Sequence, residues 1–111
     1  MPIERGEVYW VAFDPIVGGG IQKTRPAIVL SNNAANMVLN RVQVVPITSK
    51  TDRIYPGEAL VEIRGEKRKA MGSQLATASK LRFGARVGIL NAADLVRVET
   101  AVAVQLGLTL K

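Results

Sequence analysis

The pattern of apolar and polar positions predicts a chain made mostly of short β-strands. Six segments are predicted as strands, most of them rich in β-branched and aromatic residues or alternating between charged and apolar residues. Four of the six are followed within two residues by glycine, proline or asparagine, and the fifth is weaker because it is rich in small residues. These segments are residues 7–13, 26–31, 42–47, 58–63, 71–77 and 86–90. The charged residues 64–69 are expected to form a hairpin tip, and residues 32–40 to contain one short turn of helix.

A carboxyl-terminal helix completes the predicted elements. Asn91 is a suitable N-cap, Asp94 stands at the third helical position, and Gly107 is a typical helix stop. Apolar residues recur between them at helical spacing: Leu95, Val98, Val102 and Leu106. A mainly β chain with one helix favours a compact barrel, because closure removes exposed strand edges. With no internal repeat and no linker, we expect residues 1–111 to form one domain.

The charge balance adds information about partners. The chain has 15 lysines and arginines against 9 acidic residues, a formal net charge of +6. This excess indicates a phosphate-bearing or otherwise acidic partner, although basic small proteins without such a partner are also common.

The absence of histidine and cysteine narrows the possible chemistry. Disulfides are excluded, and the usual proton carrier and soft metal ligands are missing. The carboxylates show no coordinating pattern, so we expect no metal and no cofactor. A chain without cysteine suits a reducing cytoplasm. No apolar stretch approaches the roughly 20 residues of a membrane span, so we expect a soluble cytoplasmic protein without a membrane partner.

Two strand ends carry the residues best suited to chemistry on a phosphate. Arg25 directly precedes one predicted strand, and Thr48, Ser49 and Lys50 directly follow the next. A guanidinium presents a rigid fork of donors that matches two phosphate oxygens, and a hydroxyl can donate to a third oxygen. Taken alone, a solvated surface arginine and a threonine that closes a turn would explain the same residues.

The order of the motifs resembles that of the MazF/PemK toxins of bacterial toxin-antitoxin pairs. The resemblance is carried by Arg-Gly-Glu-Val-Tyr-Trp at 5–10, Asp-Pro at 14–15, Arg-Pro-Ala-Ile-Val-Leu-Ser at 25–31 and Val-Val-Pro-Ile-Thr-Ser at 44–49. It resumes at Gln74-Leu75, at Lys80-Leu81 and in the helix that ends Leu106-Gly107-Leu108.

This resemblance implies a homodimeric, SH3-like barrel that acts as an endoribonuclease. Such an enzyme cuts single-stranded RNA at short sequences without a metal, and leaves a 2′,3′-cyclic phosphate and a 5′-hydroxyl. Arg25 and Thr48 occupy the motif positions of the catalytic residues. The acceptor of the 2′-hydroxyl proton stays open between the substrate phosphate, water and Arg25 itself. A toxin of this kind is expected to have an acidic, flexible antitoxin that competes with RNA for the basic groove.

Substrate contacts are expected on both sides of Arg25 and Thr48. The polar residues of the two flanking segments are Gln22, Lys23, Thr24, Ser49 and Lys50, and the resemblance adds Gln74. The three glycines at 18–20 are typical of a flexible flap. The family usually has an arginine where this chain has Ala76, which affects the expected target sequence and cutting rate.

Two other functions fit the same barrel. One is a noncatalytic inhibitor of DNA gyrase, similar to CcdB, and the other is a passive RNA-binding barrel. The homodimer is expected because an apolar helix stripe that includes Leu95, Val98 and Val102 needs cover, which packing within one chain could also supply.

Overall fold

The computed structural model describes residues 2–13 and 23–109, which contain seven β-strands and two α-helices. The strands are β1 (Glu7–Phe13), β2 (Lys23–Val29), β3 (Arg41–Thr48), β4 (Glu58–Ile63), β5 (Glu66–Met71), β6 (Ala76–Ser79) and β7 (Phe83–Ile89). The helices are α1 (Asn33–Val38) and α2 (Ala92–Leu106), and 3-10 turns lie at Gly72–Gln74 and Lys80–Arg82. The chain is therefore mainly β with a carboxyl-terminal helix, as predicted.

All strand pairings are antiparallel, in the spatial order β4-β5-β3-β2-β1-β7. One edge of β3 pairs with β2, while its other edge pairs first with β6 and then, at Ile47 and Thr48, with β5. The β4–β5 hairpin thus branches from the main sheet at the end of β3. This branch point is where Thr48 lies.

The core has two parts, one on each face of the central strands. Successive residues of β3 alternate between them: Val44 belongs to one cluster and Val45 to the other. The first cluster contains the buried side of α2, and the second contains Tyr9, whose ring meets Phe83 edge-on at 5.4 Å. Burial on both faces explains why β3 is a nearly continuous apolar run.

Helix α2 has the ends that the sequence predicts. The Asn91 side chain accepts a hydrogen bond from the Asp94 amide at 2.8 Å, and Gly107 takes the left-handed conformation with φ 71°. Val98 and Val102 are buried, because α2 packs against β4. Packing within the chain therefore covers much of the apolar stripe, and the argument for a dimer based on that stripe is wrong.

Two strand assignments need correction. Residues 71–77 do not form one strand, because the chain turns at Gly72, where a Cβ would lie 2.5 Å from the carbonyl oxygen of Gly57. Residues 64–69 are not simply a hairpin tip, because only Arg64 and Gly65 form the turn, with φ values of 53° and 81°. Two consecutive residues with positive φ allow a tight two-residue connection, so the chain enters β5 at Glu66.

Neither α-helix in the described ranges is both long and apolar enough to cross a membrane.

Candidate functional site

A cleft of about 640 Å³ opens beside the branch point of the sheet. Its walls come from β1, β2, the end of β3, the β4–β5 hairpin and β7. The polar side chains that line it are Arg25, Thr48, Ser49, Arg64, Glu66 and Arg68. The apolar lining is formed by Trp10, Pro26, Ile47, Ile63 and Val87. The site is therefore a partly apolar groove with several cations.

Arg25 and Thr48 meet in this cleft because β2 and β3 are neighbouring antiparallel strands. Ala27 pairs with Pro46, and Arg25 and Thr48 lie two residues beyond this pair, at the same end of the two strands. Both side chains are half-buried, and both line the cleft. The Thr48 hydroxyl oxygen accepts a hydrogen bond from the Lys50 amide at 3.3 Å, which leaves the hydroxyl proton able to donate to a bound group.

The other residues expected to bind substrate are divided by the fold. Ser49 lines the cleft beside Thr48. Thr24 and Lys50 are exposed but are not part of the lining. Gln22, the side chain of Lys23 and the expected flap at 17–22 lie outside the described residues.

Gln74 is placed away from the cleft. It is exposed in the 3-10 turn, where its amide contacts the Met71 sulfur at 3.6 Å, and it does not line the groove. Ala76 lies on β6, where it pairs with Val44 of β3, and it does not line the cleft either. Neither residue therefore belongs to the described lining of the cleft.

The cleft lining also includes four residues that are not among the predicted site residues: Trp10, Arg64, Glu66 and Arg68. The sequence predicts a hairpin tip for residues 64–69, at which Lys67, Arg68 and Lys69 are either solvated or in contact with phosphates. The two-residue turn at Arg64 and Gly65 was the signal that could have revealed the strand. Once β5 begins at Glu66, alternation sends Glu66 and Arg68 to one face and Lys67 to the other.

The hairpin tip lies close to β7. A Cβ built on Gly88 would lie 3.8 Å from the side chains of both Arg64 and Ile63, an ordinary contact distance, so the tip packs beside this glycine. Arg64 itself has φ 53°, which is uncommon for a residue other than glycine. The described lining includes Arg25, Arg64 and Arg68 against one carboxylate, Glu66, so its net charge is positive.

Lys69 anchors the segment that follows Thr48. It pairs with Thr48 across the β3–β5 ladder, and its ammonium lies 3.2 Å from the Glu58 carboxylate. The same ammonium donates to the carbonyl oxygen of Arg53 at 3.1 Å, while Glu58 accepts from the Tyr55 amide at 2.9 Å. These bonds fix residues 53–58 close to the end of β3.

A buried polar network supports the β1 side of the cleft. The Glu7 carboxylate accepts from Arg86 at 2.6 Å, from the Glu4 amide at 2.7 Å and from the Tyr9 hydroxyl at 3.0 Å. Burial raises the pKa of Glu7, but these hydrogen bonds outweigh it and the pKa lies below its ordinary value. Burial and the bond to Glu7 raise the pKa of Tyr9 to about 12.

The described residues contain no cluster of side chains suited to bind a metal ion. Among residues 2–13 and 23–109, no group of three acidic side chains is arranged to hold a metal ion. The chemistry available in the described cleft is that of guanidinium groups, hydroxyls and one carboxylate.

Comparison with known proteins identifies the family. The sequence model of the PemK-like, MazF-like toxins of type II toxin-antitoxin systems matches residues 4–106, a span that contains the whole described cleft lining. The chain belongs to this toxin family. The resemblance noted in the motifs is thereby confirmed.

Relatives of this PemK/MazF-family chain match over nearly its full length. Endoribonuclease MazF9 of Mycobacterium tuberculosis is 30% identical over 115 aligned residues, which cover 96% of this chain and 98% of the relative. MazF of Deinococcus radiodurans has a TM-score of 0.83 at 25% identity, covering 97% and 99% of the two chains. A mycobacterial endoribonuclease in complex with its cognate antitoxin has a TM-score of 0.79 at 26% identity, with 98% and 99% coverage. The predicted fold class is confirmed by these structures.

Proposed function

We propose that this chain, as one domain of residues 1–111, is a cytoplasmic toxin that cleaves single-stranded RNA at a short sequence motif. Cleavage needs no metal ion and leaves a 2′,3′-cyclic phosphate and a 5′-hydroxyl. The observation that carries the proposal is that Arg25 and Thr48 line one cationic cleft in a member of the PemK/MazF family.

The geometry suits a reaction in which the RNA supplies its own nucleophile. The 2′-hydroxyl oxygen forms a bond to phosphorus while the bond from phosphorus to the 5′-oxygen breaks. The 2′-hydroxyl loses its proton to the substrate phosphate, water or Arg25, and the leaving 5′-oxygen gains one proton to become the 5′-hydroxyl. Negative charge accumulates on the nonbridging oxygens, where the Arg25 guanidinium donates through two N–H groups. The Thr48 hydroxyl donates a hydrogen bond to a further oxygen and keeps its proton, with the hydroxyl oriented by the Lys50 amide. Arg25 and Thr48 are therefore the proposed catalytic residues, and Ser49 lies where it can contact the same phosphate.

The partners follow from charge and exposure. An acidic antitoxin segment is proposed to occupy the cationic cleft and to exclude RNA.

A homodimer is proposed on a different surface from the covered stripe of α2. Met37, Val38 and Leu81 are 81%, 80% and 95% exposed, and the Lys80 ammonium bonds the Asn36 carbonyl, which ties the two segments together. Sedimentation showing a monomer at micromolar concentration would refute the dimer.

The decisive experiment is cleavage of a long transcript in excess EDTA. We expect discrete fragments whose 3′ ends carry a cyclic phosphate, both with EDTA and with added magnesium. Arg25→Ala should reduce cleavage at least about a hundredfold, as expected when a transition-state donor is lost. The matched control is Arg41→Ala, which removes an exposed arginine of β3 that does not line the cleft.

The alternatives give different results in the same experiment. A passive RNA-binding barrel would bind the transcript in a salt-dependent way without cutting it. A gyrase inhibitor similar to CcdB would leave RNA intact, and growth arrest would persist in the Arg25→Ala variant. Fragments that appear only with magnesium would contradict the metal-independent mechanism.

A further inference from the structure

Several side chains of the cleft have no part in the proposed cleavage chemistry, and two of them bear on the choice of ligand. Trp10 is a large aromatic residue that is 44% exposed, and Glu66 is a carboxylate in a cleft proposed to bind a polyanion. A carboxylate at this position repels phosphate. It would instead bind a part of the ligand that donates hydrogen bonds.

Trp10 has small neighbours on both adjacent strands. Its partner on β2 is Pro26, and on β7 it lies against Gly84, where a Cβ would be 3.5 Å from the Trp10 backbone oxygen and Cβ. No large side chain of these two neighbours is available to cover the indole, which keeps much of its surface open to the cleft. An exposed indole in a cationic groove is suited to stacking on a nucleobase.

Glu66 is held in position by its neighbour on the same face of β5. Arg68 donates to one carboxylate oxygen at 2.6 Å, and its other terminal nitrogen donates to the Lys67 carbonyl at 2.9 Å. A carboxylate accepts hydrogen bonds at both oxygens, with about four lone-pair sites in total, so the bond to Arg68 leaves capacity for a ligand. Arg68 therefore acts as a positioning residue for Glu66.

The hydrogen-bonding edges of the four bases decide which base fits. Guanine presents two adjacent donors, N1–H and the N2 amine, which match the two oxygens of a carboxylate. Adenine and cytosine present one amine beside an accepting ring nitrogen, and uracil presents one N–H between two carbonyl oxygens. An ionised carboxylate would repel those accepting atoms.

We propose that Trp10 and Glu66 form a guanine-binding subsite in the cleft, with guanine stacked on the indole and both donors of its edge bonded to the carboxylate. The subsite deepens the proposed ribonuclease function and rests on it, since it names one base that the cleavage motif must contain. The β4–β5 hairpin is thereby proposed to read the RNA sequence, together with the segments that flank Arg25 and Thr48, where substrate contacts are expected.

The first test measures binding without cleavage. Trp10 is the single tryptophan of the chain, so its fluorescence reports stacking directly. The probes are fully 2′-O-methylated uridine hexamers that carry one guanine, inosine or adenine. We expect guanine to bind about tenfold more tightly than adenine and to quench Trp10, with inosine weaker than guanine because it lacks the N2 amine.

Variants distinguish recognition from a structural role. Glu66→Gln keeps the size of the side chain but replaces one accepting oxygen with a donor, so it should remove the preference for guanine. The matched control is Lys67→Gln on the opposite face of β5, which should keep that preference. Circular dichroism of both variants should match the unmodified protein, because both residues are exposed.

The second test maps the 5′ ends of cleaved transcripts. We expect a motif that contains guanine and a Glu66→Gln variant that accepts other bases at that one position. A motif without guanine, or equal binding of guanine and adenine, would overturn the subsite. An unchanged motif with uniformly slower cleavage by Glu66→Gln would also overturn it, because Glu66 would then act in the reaction itself. Guanine-selective quenching without any RNA cleavage would support the subsite and refute the proposed ribonuclease function.

Discussion

Replacing Glu7 by glutamine should break the bond to Arg86 in the polar network that holds β1 against β7. Glu7 is only 9% exposed and accepts three hydrogen bonds, including one at 2.6 Å from Arg86. The pairing of β1 with β7 is irregular at Val8, Tyr9 and Val11, so fewer regular ladder bonds support this edge. The network therefore matters more here than it would between two regular strands.

The loss of stability depends on which of the three hydrogen bonds the glutamine amide can still make. A glutamine oxygen can still accept from the Glu4 amide and the Tyr9 hydroxyl, but its NH₂ group would face the Arg86 donor. The loss is one charge-assisted hydrogen bond, worth about 1.5–3 kcal/mol, so we expect the free energy of unfolding to fall by about 2 kcal/mol at pH 7. With an m value of about 1–2 kcal/mol/M for a domain of this size, the urea midpoint should fall by about 1–2 M.

The pH dependence provides an independent check. The folded-state pKa of Glu7 lies below the ordinary value of 4.5. As the pH falls below about 4.5, the unfolded chain takes up a proton first, so the stabilisation by Glu7 is lost as the pH falls through the folded-state pKa. The stability difference between the native protein and Glu7→Gln should therefore be largest above pH 5 and should shrink in acid.

Urea unfolding of both proteins, followed by circular dichroism between pH 3 and pH 7, measures both effects. Glu4→Gln is the matched control, because it removes the same charge from an exposed side chain. If Glu7→Gln and Glu4→Gln differ by less than about 0.5 kcal/mol at pH 7, the reasoning is refuted.

Three further predictions concern the site and the stability of the fold. Arg25→Lys keeps the positive charge but loses the donor fork, so single-turnover cleavage should slow about a hundredfold with unchanged circular dichroism, and an unchanged rate would argue against two-point phosphate contact. Asp94→Ala removes a side chain that is 5% exposed and accepts from the Glu62 amide at 2.8 Å, so urea unfolding should show a loss of about 2 kcal/mol, whereas a neutral effect would mean that this bond contributes little. The pKa of Tyr9 is raised to about 12, so its stabilisation is complete below pH 10 and is lost as the pH rises towards 12. Midpoints of urea unfolding at pH 9 to 11 should fall for the native protein more steeply than for Tyr9→Phe, and parallel slopes would contradict this.

The amino-acid sequence determined the elements whose signals are local. The bounds of β1 and β4, the Asn91 cap and the Gly107 stop of α2 were predicted correctly, because alternation, caps and turn residues act within a few positions. Arg25 and Thr48 were also predicted from the sequence, since each lies beside a recognisable apolar run and the pair matches a family motif. Both line the cleft, and their catalytic role stays a prediction.

The tertiary structure alone decided which other residues enter the cleft and which surfaces are covered. Gln74 is a predicted substrate contact that does not line the cleft, whereas Glu66 and Arg68 of the predicted hairpin tip do line it. A charged strand cannot be told from an exposed hairpin tip by its composition, because its position depends on pairing with β3 and β4. The cover of Val98 depends likewise on the distant strand β4, which packs against α2 through contacts that no local pattern encodes.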